Sequence, residues 1–236
     1  MYFGLVVASI WALLTLVWYF VPNAAANLYD LLIVHMTRQW YAAVLERLDD
    51  GSRILDIGIG TATALVHNKE LVLRKKVRVV GIDYERRYVT KAQQVVAEAG
   101  LQSLVTVHCL TVYHPQLRSA LAGKAAFDAA YFSGSLTLMP DPAAALKVAA
   151  LMVKPGGFVY VTQTFQNRPA PIMARLKPLL RRFTSVDFGK LTYLAEVQKI
   201  AEAAGMEIVE DAPVPGSIDN SSQTARLVVL KSKSSR

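Results

Sequence analysis

The sequence contains little cysteine and little charge. Among its 236 residues Cys109 is the single cysteine, which excludes a disulfide framework within the chain and any zinc or iron–sulfur site built from several cysteines. Charged residues make up 19% of the chain and hydrophobic residues 53%, so the chain is too apolar to be intrinsically disordered. Its 13 glycines and 10 prolines are too few for a collagen-like or low-complexity protein. A globular domain with a sizeable core is expected.

Negative charge is also in deficit, with 18 Asp and Glu against 26 Lys and Arg, a formal net charge of +8. Such an excess indicates attraction to an anionic partner, which can be nucleic acid, a membrane surface or an acidic substrate. The basic residues are spread along the chain without the aromatic-rich pattern of an RNA-binding sheet. Nucleic acid is therefore the least favoured of these partners.

The longest uncharged run begins the chain. Residues 1–21 carry no charged side chain, and at about 1.5 Å per residue a helix of this length measures roughly 31 Å, enough to cross the hydrocarbon of a bilayer. Tyr2 lies near one end of the run, and Trp18 and Tyr19 lie near the other, as aromatic side chains at headgroup depth do. We therefore expect residues 1–22 to form a transmembrane anchor.

A cleaved signal peptide is the alternative interpretation of this run, because residues 24–26 are three alanines that resemble a cleavage site. Against it, the run has no basic amino-terminal region and is longer than the usual apolar stretch of a signal. The nearest basic side chains downstream are Arg38 and Arg47, and none lies upstream. The positive-inside tendency predicts a single-pass protein whose large carboxyl-terminal part lies on the cytoplasmic or matrix side.

A linking helix is predicted within residues 23–49, between the anchor and a domain that comprises residues 50–236. Four apolar residues of this stretch share one helical face at the i, i+3, i+4, i+7 spacing: Tyr41, Val44, Leu45 and Leu48.

The pattern that carries chemistry begins with a strand and a glycine loop. The apolar run 53–57 predicts a short buried strand, which leads directly into Gly58, Gly60 and a helix. Glycines let a ligand approach the backbone closely, and the start of the helix directs free N–H groups towards it. A second predicted strand, 77–82, ends in Asp83, whose carboxylate can accept both hydroxyl hydrogens of a ribose. Together the two features predict a nucleoside site.

The side chains of the loop distinguish two nucleoside cofactors. A dinucleotide-binding loop has a third glycine where this chain has Thr63, and the carboxylate of Asp56 would repel a pyrophosphate. S-adenosylmethionine has no phosphate, and its methionine part carries an ammonium group and a positively charged sulfur that a carboxylate attracts. Asp56 therefore favours S-adenosylmethionine over NAD, and an NAD-dependent oxidoreductase is the weaker alternative. A carboxylate that only accepts hydrogen bonds from the loop's own N–H groups is the structural alternative for Asp56.

The run from Arg53 to Thr61, RILDIGIGT, resembles motif I of the class I S-adenosylmethionine-dependent methyltransferases. Further segments resemble later parts of that family in the same order: the ribose-binding motif at 80–84, the fourth strand at 127–132, the turn and fifth strand at 151–161, and the closing strands at 204–209 and 225–230. The resemblance implies an α/β fold with a Rossmann-like, seven-stranded, mostly parallel sheet, helices on both faces and the cofactor across the carboxyl ends of the strands.

The resemblance also implies a cofactor site, residue by residue. Asp56, Gly58, Gly60 and Thr61 would contact the methionine part, Asp83 the ribose, Tyr84 the adenine face and Phe132 the sulfonium region. Thr111 stands where many relatives have an aspartate for the adenine amino group, and its hydroxyl would bind more weakly. Leu138 stands where several relatives have a histidine, so no catalytic base is assigned. The histidines show no metal-ligand spacing, and no metal is expected.

The sequence therefore predicts a membrane-anchored, S-adenosylmethionine-dependent methyltransferase that acts on a lipophilic small molecule or lipid, with the bilayer as its partner. A basic amphipathic stretch at 169–183 could lie on an anionic membrane beside the substrate site. A protein methyltransferase is the nearer alternative. A non-catalytic, methyltransferase-like scaffold of a membrane or organellar complex is the alternative from a different class.

Overall fold

The computed structural model describes residues 34–121, 126–168 and 192–233. Three predictions fall wholly or partly outside these ranges: the anchor at 1–22, the first part of the linking helix and the amphipathic stretch at 169–183. Within the described ranges, no helix is both long enough and apolar enough to cross a bilayer.

Helices and strands alternate along most of the chain, as the sequence predicts. In chain order the described elements are α1 (34–47), β1 (Arg53–Ile57), α2 (Thr63–Val66), α3 (Lys69–Lys75), β2 (Arg78–Asp83), α4 (Arg86–Glu98), β3 (Val105–Cys109), α5 (Leu117–Leu121), β4 (Phe127–Ser133), a 3₁₀ turn (Leu136–Leu138), α6 (Pro142–Met152), β5 (Val153–Gln166), α7 (Leu194–Ala203), β6 (Met206–Pro213) and β7 (Gln223–Ser232).

Seven strands form one sheet in the order β3-β2-β1-β4-β5-β7-β6. The pairs β1–β2, β1–β4, β2–β3 and β4–β5 are parallel, whereas β7 runs antiparallel to both β5 and β6. The predicted seven-stranded, mostly parallel sheet is confirmed. Because parallel strands end at the same side of a sheet, β1 to β5 all finish at one edge, which we term the carboxyl edge. The strand order reverses between β1 and β4, where open α/β sheets bind their ligands.

The sheet separates two apolar cores, and helices cover both of its faces. On one face, Val72 of α3 and Ala92 of α4 pack in the same core as Ile54 of β1. On the other face, Leu146 of α6 packs in the same core as Leu55 of β1. Since successive strand residues point to opposite faces, the neighbours Ile54 and Leu55 serve different cores.

The start of α6 follows its sequence signal. The predicted cap, Asp141, accepts a hydrogen bond at its Oδ1 from the backbone N–H of Ala144 at 2.9 Å, and Pro142 occupies the first turn.

Helix α1 packs into the first core. All four residues of its predicted apolar face are buried: Tyr41, Val44, Leu45 and Leu48. The indole N–H of Trp40 donates a hydrogen bond to Oγ of Ser217, between β6 and β7, at 3.1 Å. Helix α1 therefore shares its core with the sheet that follows it.

Replacement of Leu45 by alanine is expected to lower the free energy of unfolding by about 2–5 kcal/mol, because its fully buried side chain would leave a cavity. Leu73 of α3, which is 44% exposed, provides the control, and Leu73→Ala should cost less than about 1 kcal/mol. Urea unfolding followed by circular dichroism measures both values. Equal losses in the two variants would contradict the packing of α1 into the core.

Candidate functional site

The glycine loop after β1 makes a tight turn at the carboxyl edge. The backbone N–H groups of Gly58 and Ile59 both donate to the carbonyl oxygen of Ile82 in β2, at 2.8 and 3.2 Å. Gly58 has a φ of +79°, and a Cβ at this position would lie 2.6 Å from Cβ of Ser135, in the loop after β4. Glycine is therefore required at this position by both its backbone conformation and the available space.

Asp83 joins the ends of β1 and β2. Its Oδ2 accepts a hydrogen bond from the N–H of Gly60 at 3.0 Å, and its Oδ1 accepts one from the N–H of Glu85 at 2.9 Å. Burial raises the pKa of Asp83, and the two N–H donors counteract this rise. Each carboxylate oxygen retains a second lone pair, so the group can still accept hydrogen bonds from a ligand's hydroxyls. The two features that the sequence predicts to converge are thus in direct contact.

Asp56 lies beneath the loop instead of at its entrance. Its side chain is fully buried, and its Oδ2 accepts a hydrogen bond from the hydroxyl of Tyr41 in α1 at 2.6 Å. Within the described part of the chain, Oδ1 has no hydrogen-bond partner. Burial raises the pKa of Asp56 to about 7, while the Tyr41 hydrogen bond lowers it and the charge of Asp83 raises it. Neither an exposed carboxylate nor one bound to the loop's own N–H groups is observed, because Asp56 points to the face that α1 covers.

A series of contacts connects Tyr41 to further hydroxyl groups. Tyr41 contacts Tyr131 of β4 edge to face, with ring centroids 5.1 Å apart, and the hydroxyl of Tyr131 lies 2.8 Å from Oγ1 of Thr162 in β5. Burial raises the pKa of both tyrosines, and hydrogen bonding to Ser133 counteracts this rise in each. We call Tyr41, Tyr131, Ser133 and Thr162 the hydroxyl cluster.

Sequence reasoning missed the hydroxyl cluster. The available signal was a polar position on one face of an otherwise apolar strand, as at Tyr131 and Ser133, which are two residues apart in β4. In β5, Thr162 is fully buried next to Val161 and provides the same signal. The helical spacing of Tyr41 predicts only that it is buried, and does not show what its hydroxyl contacts.

The remaining predicted residues have different surroundings. Thr61 is partly buried, with its hydroxyl 2.9 Å from that of Thr63, in the same loop as Gly58 and Gly60. Tyr84 is 80% exposed directly after β2. Thr111 is exposed just after β3, the strand that pairs with β2. The structure therefore brings Thr61, Asp83 and the glycines together, with Tyr84 and Thr111 further along the same edge.

Phe132 is not brought to this edge as a ligand contact. Its side chain has no exposed surface and lies in the second core, together with residues of α6. The reason is the alternation of strand residues, which directs Tyr131 and Ser133 of β4 towards the hydroxyl cluster and Phe132 to the opposite face. The structure therefore places Phe132 in the core, and not at the sulfonium contact that was expected for it.

The helix after the glycine loop is shorter than expected. It consists of Thr63–Val66, and α3 begins only at Lys69. The side-chain amide of Asn68 donates to the backbone carbonyls of Ala64 and Arg38 at the break between the two helices. Because a single turn aligns few peptide dipoles, this helix contributes only a small dipole to the site.

The groups at this edge suit a nucleoside with a cationic amino-acid part. Asp83 offers acceptors for hydroxyl groups, and Oδ1 of Asp56 is a buried acceptor that lacks a donor among the described residues. Among the described residues, no atom lies within 4 Å of the position where a Cβ of Gly60 would lie, so this part of the chain leaves open space there. In the described ranges no group of three or more His, Cys, Asp or Glu side chains could hold a metal ion.

Residues 33–211 of the chain match a protein family described as "Methyltransferase domain". The chain is 29% identical over 164 residues to the ubiquinone biosynthesis O-methyltransferase of Ralstonia nicotianae, which covers 66% of this chain and 63% of that protein. The same enzyme of Cupriavidus pinatubonensis is 30% identical, with coverage of 68% and 62%. The chain thus spans less than two thirds of the length of these relatives.

A phosphatidylethanolamine N-methyltransferase of Cereibacter sphaeroides is 23% identical over 173 residues, which are 71% of this chain and 77% of that protein. Among solved structures, the [4+2]-cyclase SpnF superimposes with a TM-score of 0.61 at 22% identity, covering 83% of this chain and 81% of that one. A methyltransferase from Geobacter sulfurreducens in complex with S-adenosylhomocysteine gives 0.56 at 15% identity, with coverage of 83% and 90%. These two structural similarities show the fold alone.

The raised pKa of Asp56 predicts a specific dependence of stability on pH. Because the folded state favours the neutral carboxyl group, its contribution to stability is full at low pH and is lost as the pH rises through about 7. Asp56→Asn, which stays neutral, should avoid this loss. Its unfolding free energy relative to the wild type should rise by about 3 kcal/mol between pH 5 and pH 8.

Urea unfolding at several pH values measures this difference. Asp50→Asn, at an exposed turn before β1, is the matched control and should follow the pH dependence of the wild type. Parallel pH profiles for Asp56→Asn and the wild type would contradict the described environment of Asp56.

Proposed function

The chain belongs to the methyltransferase domain family, and from this premise we propose that it transfers a methyl group from S-adenosylmethionine to a lipophilic small molecule or lipid at a membrane. The observation that carries the proposal is the contact between Gly60 and Asp83. This contact supports the proposal because a carboxylate, a suitable acceptor for ribose hydroxyls, lies against a loop that has open space beside Gly60 among the described residues.

In this proposal Asp83 and Asp56, which lie on either side of the glycine loop in the chain, bind different parts of the cofactor. S-adenosylmethionine supplies a methyl group bound to a positively charged sulfur, which makes the methyl carbon open to attack by a nucleophile. Asp83 would accept hydrogen bonds from the ribose hydroxyls, and the ionised form of Asp56 would attract the cationic methionine part. Because attack at an activated methyl group is an in-line displacement, the positioning of both reactants supplies much of the rate acceleration.

The names of the relatives support a lipophilic acceptor. Ubiquinone biosynthesis and phosphatidylethanolamine both point to compounds that partition into membranes. At the carboxyl edge of this chain, Leu138 is 53% exposed in the 3₁₀ turn after β4, and the exposed Tyr84 follows β2. Apolar groups beside the site suit an acceptor of that class, and a hydroxyl acceptor is the form that most of these relatives' names indicate.

Membrane anchoring belongs to the same proposal. The uncharged run at 1–21 and the net charge of +8 both suit a protein held at an anionic membrane surface. An anchor confines the enzyme to the surface where a lipophilic acceptor is concentrated, which raises the effective concentration of that acceptor. The large carboxyl-terminal part lies on the cytoplasmic or matrix side in this proposal.

A second candidate is a protein that keeps the fold but does not transfer methyl groups. The similarity to a [4+2]-cyclase shows that this fold also carries other chemistry. Thr111 is a weaker partner for an adenine amino group than an aspartate would be, and no catalytic base is assigned. Such a protein would bind the cofactor without turning it over, which separates the two candidates.

Calorimetric titration of the full chain in lipid nanodiscs tests the proposal. We expect saturable binding of S-adenosylmethionine and S-adenosylhomocysteine and none of NAD. Asp83→Ala should weaken binding by about 10- to 100-fold, because hydrogen bonds to a carboxylate from the ribose would be lost. Asp50→Ala, which removes an exposed carboxylate before β1, is the control and should bind like the wild type.

The decisive contrary result is a folded sample that binds neither adenosyl compound. In that case the chain would not be a methyltransferase.

A further inference from the structure

A hydrogen bond between two buried groups connects α1 to β1. The hydroxyl of Tyr41 donates to Oδ2 of Asp56 at 2.6 Å, and both residues are almost completely buried. The ring of Tyr41 packs edge to face on Tyr131, whose own hydroxyl lies 2.8 Å from Thr162. Packing and hydrogen bonding therefore hold the Tyr41 hydroxyl in place against the carboxylate.

The other oxygen of Asp56 lacks a donor. Within the described residues Oδ1 is buried and accepts no hydrogen bond, an uncommon and unfavourable state for a carboxylate oxygen. Among the described residues, the titratable groups that face Asp56 are Tyr41 from α1, Tyr131 from β4 and Asp83 from β2, and none of these three is a cation. A buried carboxyl oxygen with no cation beside it among the described residues suits a cationic donor supplied by a ligand.

The geometry points to Tyr41 as a positioning residue for the amino-acid part of the cofactor, an inference that rests on the proposed function. The Tyr41 hydroxyl holds Oδ2 of Asp56, so that Oδ1 is oriented to accept a hydrogen bond from the ammonium group of S-adenosylmethionine. Helix α1, which precedes the glycine loop in the chain, thereby contributes to cofactor binding without contacting the cofactor.

The hydrogen bond also favours the ionised form of Asp56. Donation from Tyr41 stabilises the ionised carboxylate and lowers its pKa, in opposition to burial. Without the hydroxyl, a smaller fraction of Asp56 is ionised at neutral pH, and an ammonium group is bound less tightly. The affinity for a ligand with an ammonium group should therefore reach its plateau at a higher pH in Tyr41→Phe than in the wild type.

Two ligands separate this role from a merely structural one. S-adenosylhomocysteine carries the amino-acid part with its ammonium group, whereas 5′-methylthioadenosine has the same nucleoside without it. In calorimetric titrations of the full chain between pH 6 and pH 8, Tyr41→Phe should weaken S-adenosylhomocysteine binding by about tenfold at pH 7, the effect of one charge-assisted hydrogen bond. Binding of 5′-methylthioadenosine should change by less than about twofold, which is within the scatter of such comparisons.

Tyr160→Phe is the matched control. Tyr160 is buried in the same core, and its hydroxyl makes no hydrogen bond with the described residues. This variant should bind both ligands like the wild type. Asp56→Asn is the second variant, because it leaves α1 unchanged and should reproduce the loss of S-adenosylhomocysteine affinity without a pH dependence.

A measurement without ligand tests the link independently of binding. Carbon-13 NMR of the Asp56 carboxyl group should give a titration midpoint that is higher in Tyr41→Phe than in the wild type. An unchanged midpoint, or equal weakening of both ligands by Tyr41→Phe, would overturn the inference while leaving the proposed function intact. If the folded wild type binds neither ligand, the proposed function fails first, and this inference fails with it.

Discussion

The glycine loop after β1 is held by every element around it, and the candidate site depends on this junction. The loop's backbone donates to Ile82 of β2, Gly60 donates to Asp83, and Ser135 after β4 donates to the carbonyl of Ile57. On the face of the sheet that α1 covers, the hydroxyl of Tyr41 donates a hydrogen bond to the carboxyl group of Asp56, the residue two positions before Gly58. Three elements besides β1 (β2, the loop after β4 and α1) thus hold this short turn and the end of the strand before it, so a change in any of them reaches the nucleoside site.

Several strands could be predicted from the sequence because each contains a short stretch of mostly apolar residues next to a glycine or a charged residue. The strand predicted at 53–57 matches β1. Asp83, the carboxylate after the strand predicted at 77–82, lies beside the glycine loop, as expected. The cap at Asp141 and the proline after it marked the start of α6 because both act within one helical turn. Each of these signals depends on residues that are close in the sequence, so the sequence alone is enough to predict the element.

The orientation of side chains at the site could not be predicted in the same way. Phe132 was expected at a ligand contact from its position in a motif, yet it is fully buried in the second core, and Asp56 is buried against α1 on the opposite face instead of exposed at the loop entrance. A motif shows which strand end a residue occupies, but the neighbouring elements decide what covers it. The partner of Asp56 lies 15 residues earlier in α1, and the helical spacing of Tyr41 could not reveal that contact. The identity of the methyl acceptor depends on the loops around the site, and their shape cannot be predicted from the sequence.

The central claim is methyl transfer to a lipophilic acceptor, and one assay tests it directly. The full chain in nanodiscs is incubated with S-adenosylmethionine labelled in the methyl group, together with a total lipid extract or with the delipidated protein fraction from the same cells. The account predicts that label enters the organic phase in the presence of the lipid extract and that the protein fraction stays unlabelled. Label in the protein fraction alone, or no transfer by a preparation that binds the cofactor, would contradict it.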